Sequence, residues 1–124
     1  MESIRYRDDA GEAELDSTHA REDPAETWRR IRPLAEQRLD VLRRATHELA
    51  GGRLEEHLHA HAARSARSLA GGLDLLGFEE ASRMAGIVEG LLAASPLQPE
   101  DAIRLRRLTA QIEGALGTVP ARVS

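Results

Sequence analysis

Cysteine and lysine are both absent from the 124 residues of this chain, and each absence closes off a class of chemistry. Without cysteine there are no disulfides, no thiolate nucleophile and no cysteine-ligated zinc. Without lysine, Schiff-base catalysis has no amine to use except the N-terminus. Aromatic residues are nearly missing too, with one Trp, one Tyr and one Phe, so the apolar content comes almost wholly from Leu, Ala, Ile and Val. That mixture favours helix over sheet. No apolar run approaches the roughly 18 residues a membrane span needs. The first residues, MESIRYRDDAGEAELD, are acidic where a secretion signal would be basic and then apolar. A soluble, cytoplasmic protein is the expectation.

What the chain does have is charge and good helix formers. All 17 basic residues are arginine, against 21 acids, for a net charge of −4. The acids are concentrated early. Met1–Asp23 holds eight acids and three arginines, a net −5, which leaves about +1 for the remainder. Nucleic-acid binding rests on clustered cationic charge and finds little support in that balance. The length allows one small domain with a single core.

Three segments follow from the pattern. Residues 1–23 read as a flexible acidic tail, residues 24–118 as a helical domain, and residues 119–124 as a short C-terminal tail. In DPAETW, Asp23 can cap a helix that Pro24 and Glu26 open favourably. Trp28, Ile31, Ala35, Leu39, Leu42, Ala45 and Leu49 then form one apolar stripe ending at Gly51-Gly52, and Pro33 is expected to kink this helix or to join two pieces. A second stripe runs through Leu54, Leu58, Ala62, Ser65, Leu69, Gly72 and Leu76 and closes at Gly77. Phe78, Ala81, Met84 or Ala85, Val88, and Leu91 or Leu92 make the third. After the loop SPLQPED, Leu105, Leu108, Ile112 and Ala115 make the fourth. Four amphipathic helices with short connections predict an all-α, antiparallel up-down four-helix bundle with an N-terminal extension.

Arg67 marks the candidate site. At 100° per residue it lies opposite the Leu69 seam and faces outward, and its neighbours one turn away are Ala63, Ala70 and Gly71. The same strip carries Ala60, Arg64 and Asp74. A solvated helix face ordinarily holds long polar residues, and a mid-helix Gly costs about 0.8–1 kcal/mol against Ala. Two readings compete. The bare strip reflects an Ala- and Gly-rich composition, or it is a docking face on which another protein sits.

The segment ARSLAGGLDLLGFEEASRMAGIVE, Ala66 to Glu89, resembles the histidine-containing phosphotransfer (HPt) domain of two-component phosphorelays, whose signature reads roughly A-H-x-L-K-G-x4-L-G-x3-L-x2-L-x3-L-E. Ala66, Leu69, Gly71, Leu76, Gly77 and Glu89 match outright, and Ala81, Met84 and Val88 are apolar where the pattern is apolar. The resemblance implies a four-helix bundle that docks response-regulator receiver domains or histidine kinases. It also places Arg67 at the phosphoaccepting histidine and Ala70 at the lysine that helps hold the phosphoryl group. A guanidinium stays protonated and has no lone pair with which to attack phosphorus. The implied function is therefore regulatory binding without catalysis, through Arg67, Arg64, Ala63, Ala70, Gly71 and Asp74. No cofactor is implied, and the chain is expected to be a monomer or weak dimer.

Other candidates carry less. His57 and His61 share a helix face but make only two metal ligands, so His57, His59 and His61 read as surface or interface residues, and no metal is expected. Genuine phosphotransfer through His47, His57, His59 or His61 is one alternative. A scaffold or dimerisation module exposing Ile87 or Ile103 is another. Arg104, Arg106 and Arg107 read as a solvated face paired with Glu100, Asp101 and Glu113.

Overall fold

The computed structural model describes residues 23–94 and 96–117. The expected tails, apart from Asp23, and Thr118 lie outside the described residues. Within them the chain forms four helices and no strand: α1 Pro24–Ala50, α2 Glu56–Leu75, α3 Glu79–Ala93 and α4 Asp101–Leu116. Each helix packs on its sequence neighbour, and α4 closes the ring on α1. Connections of this shortness make consecutive helices antiparallel, and the result is the up-down four-helix bundle that the periodicity predicts.

The helix ends obey local chemistry. The Asp23 carboxylate accepts from the Ala25 amide at 3.1 Å and the Asp23 carbonyl accepts from Glu26, so two of the orphan donors at the start of α1 are satisfied, while Thr27 donates the first regular helical bond to the same carbonyl. At the other end the Gly52 amide donates to the Leu49 carbonyl and the Arg53 amide to that of Glu48, with Gly52 at φ 72°. The same paired closure ends α2: Gly77, at φ 92°, donates to Asp74, and Phe78 donates to Leu73 at 2.9 Å. Both are Schellman caps, and the residue with positive φ is glycine because a Cβ would collide with its own backbone there.

Three sequence expectations are narrowed or corrected. Of the two outcomes expected at Pro33, a kink or a join of two pieces, the join does not form, since α1 continues through Pro33 as one helix. Pro33 is exposed, so the carbonyl it leaves without an amide partner is within reach of water. Gly72 is exposed, and Leu73 occupies the buried step in its place. On α4 the stripe ends in buried Leu116, with Ala115 only half-buried.

The core is drawn from all four helices, and Leu39, Leu42, Leu73, Val88, Leu92, Leu105 and Ile112 are its most enclosed large side chains. Burying each contributes about 1.5–3 kcal/mol. Trp28 seals one end, packing edge-on against Phe78 with ring centroids 5.0 Å apart. α2 and α3 share the most extensive contact. Ala62 and Ala66 on one side and Ala81 and Ala85 on the other are fully enclosed, and these small residues let the two backbones come close. The hairpin is also stitched at both ends. Ser82 Oγ donates to the Ala70 carbonyl at 2.7 Å, and the His59 imidazole Nε2 bonds the Leu92 carbonyl.

Candidate functional site

α2 is the helix that carries the candidate site, and its two neighbours decide which faces remain open. Ala62, Ser65, Ala66, Leu69 and Leu73 turn inward. Ala63 and Ala70 are half-buried and pack against the edge of the core. Arg64, Arg67, Gly71 and Asp74 lie on the outer surface, as does Ala60. Arg67 and the five residues singled out around it therefore share one side of α2, with four of the six exposed and the two alanines half-buried.

The electrostatics of that patch are simple. Neither Arg64 nor Arg67 forms an ion pair among the described residues. At the start of α3, Glu80 is engaged within its own helix. Glu80 hydrogen-bonds Arg83 and, through that bond and its charge, raises the Arg83 guanidinium above its ordinary pKa. Arg67 is left as an exposed, hydrated, planar cation presenting several donors in a fixed fork.

Glycine is not required by the fold at this point. Beyond the backbone of its own helix and its chain neighbours, a Cβ at Gly71 or Gly72 would meet no atom within 4 Å, and neither residue has positive φ. Their backbone is ordinary helix beside open space. The contrast with Gly52 and Gly77, whose conformations do demand glycine, is complete.

Compared with family models, with curated proteins and with solved structures, the chain matches none.

The histidines separate. His57 and His61 are exposed, whereas His59 is half-buried and committed to the Leu92 carbonyl. No group of three or more His, Asp or Glu side chains is arranged to hold a metal ion among the described residues. His47 is exposed near the end of α1 and lines a recess with Arg43, Thr46 and Arg106. Ile103 is 60% exposed, while Ile87 is half-buried against the core. The expected pairing within α4 does not form among the described residues: Glu113 reaches across to Arg43 on α1, a guanidinium also engaged by Asp40. Arg104, Arg106 and Arg107 are exposed. No helix among the described residues is long and apolar enough to cross a membrane.

Pattern-reading missed the α1 side of the surface. Leu34, Arg38 and Arg44 face α2 across a groove of about 570 Å³ that also includes His61, Arg64 and Ser68. The relevant signal exists in principle, because Arg38 and Arg44 fall off the buried stripe of α1. Knowing that they converge with Arg64 requires the lateral pairing of two helices, which periodicity along one helix does not specify.

Proposed function

We propose that this chain is an HPt-like signalling protein that binds a receiver domain or histidine kinase of a two-component pathway through the Arg67 face and regulates it without transferring phosphate. The observation that carries the reading is Arg67 itself: an exposed guanidinium with no ion-pair partner among the described residues, on a helix face whose central glycine the fold does not need. It stands where the family that the chain resembles carries its phosphoaccepting histidine. The bundle geometry and the Leu76-Gly77-Phe78 corner agree with that resemblance.

The chemistry is complementary. Receiver domains, the usual partners of such bundles, carry a pocket of several carboxylates that ordinarily holds magnesium. A guanidinium entering that pocket makes bidentate, charge-assisted hydrogen bonds, and the Ala63, Ala70 and Gly71 surroundings let two backbones approach. Arg64 adds a second positive charge at the margin. Arg67 cannot accept a phosphoryl group, so binding here occupies the partner without advancing a relay. Relay through His59 is disfavoured because its Nε2 is already bonded to Leu92.

The test is a calorimetric titration against a panel of receiver domains. Arg67→Glu is expected to weaken binding by about 2 kcal/mol or more, roughly 30-fold in Kd, as for an interface anchor. Arg29→Glu makes the same charge change on an exposed site of α1, away from α2, and should leave affinity nearly unchanged. Equal losses in the two variants would reduce the effect to net charge. Failure of every receiver and kinase to bind would remove the reading.

A further inference from the structure

We infer that the groove between α1 and α2 holds the chain's own acidic segment, Asp8–Asp16. Its walls are Leu34, Arg38, Val41 and Arg44 from α1 and His61 and Arg64 from α2. The exposed and half-buried arginines of α1 differ in how they are paired, and Arg30, like Arg29, Arg32 and Arg43, is engaged. Arg29, Arg32 and Arg43 each lie within ion-pair distance of a carboxylate, Glu26, Glu36 and Asp40 respectively. Arg38 and Arg44, which line the groove, have no ion pair among the described residues, and neither does Arg64 opposite them. Asp40, the carboxylate on the groove's rim, is drawn to Arg43. The bland reading is a hydrated cationic surface. Three guanidiniums and an imidazole converging on a concave wall, with Leu34 left 46% exposed at one end, describe instead a receptacle for an acidic segment with a little apolar character.

Such a segment lies in the same chain. Residues 8–16 read DDAGEAELD, five acids without a base, and include Leu15. Asp16 is seven residues before Asp23, the cap of α1, so the segment is tethered to the helix that forms one wall. Reach is sufficient: an extended chain covers up to about 3.3 Å per residue, while Arg38 and Arg44 lie roughly 22 and 32 Å along α1 at about 1.5 Å per residue. A short tether also raises the local concentration of the segment to the order of millimolar, which makes weak, screened charge pairs sufficient for occupancy. Arg64 borders both the groove and the Arg67 face, so an occupied groove would set acidic charge beside the docking patch. That consequence rests on the receiver-binding reading, but occupancy does not.

The experiment uses the full chain labelled for amide NMR and no receiver. A variant carrying Asp8→Asn, Asp9→Asn, Glu12→Gln, Glu14→Gln and Asp16→Asn is compared with the unaltered protein. Amides of residues 34–44 and 61–68 should move several-fold more than those of residues 104–111. High salt should move the same amides of the unaltered chain in the same direction, and a synthetic peptide of residues 8–16 added to the neutralised variant should move them back. In a chain with Arg38→Gln, Arg44→Gln and Arg64→Gln, neutralising the segment should no longer affect α1 and α2; all three sites lie outside the core, and circular dichroism verifies that the fold persists. Changes confined to the segment's own amides would overturn the inference. So would changes that grow with protein concentration, which would assign the groove to the segment of a second copy.

Discussion

Gly71 and Gly72 sit inside α2, towards its C-terminal end, with space where a methyl group would be, so replacing either with alanine removes a backbone-entropy cost and adds no clash. Gly71→Ala and Gly72→Ala are each expected to stabilise the bundle by about 0.5–1 kcal/mol, seen as a higher urea midpoint at unchanged slope. Gly71→Leu should also fold normally, and on the proposed function it should weaken receiver binding, because its side chain would stand on the proposed docking patch. Full affinity in the Leu variant would show that no close approach occurs at that position. The outward direction of Arg67 is legible from sequence, since an angle of 100° per residue separates it from the Leu69 seam. The place of Gly72 is not. A glycine has no side chain to bury, so the seam could step through Gly72 or Leu73, and only packing, which burial of Leu73 rewards, chooses between them.

Helices were the most legible elements because their ends carry chemistry that reads locally. Asp23-Pro24 opens α1, and Gly52 and Gly77 close α1 and α2 in left-handed conformations that other residues resist. Gly77→Ala should therefore cost about 1–2 kcal/mol, measured by urea unfolding, even though it adds only one methyl group. A neutral result would mean that the α2–α3 corner adapts easily and does not pin the hairpin. What could not be read is how helices meet sideways. Ser82 on the Ala70 carbonyl, His59 on that of Leu92 and Glu113 on Arg43 all join residues distant in sequence. Each of those side chains is polar and off the apolar stripe, so periodicity assigns it to solvent. The α1–α2 groove was hidden for the same reason.

At the scale of the molecule, the described residues form a four-helix bundle, and Arg67 and the α1–α2 groove both lie on its outer surface. The reading of Arg67 as a substituted phosphoacceptor makes a gain-of-function prediction. Arg67→His combined with Ala70→Lys restores the two residues that the HPt pattern calls for, and the double variant should accept acid-labile radiolabel from a phosphorylated receiver while the unaltered chain accepts none. Label on the unaltered chain would point to another histidine and reverse the non-catalytic reading. Where a partner touches the bundle decides whether Arg67 is the centre of a docking face. A chemical-shift map of the labelled chain, titrated with an unphosphorylated receiver domain that binds it, should show its largest changes at Ala63, Arg64, Arg67, Ala70, Gly71 and Asp74. Perturbations centred on α4, or spread over the Ile103 surface with Arg67 unmoved, would contradict it.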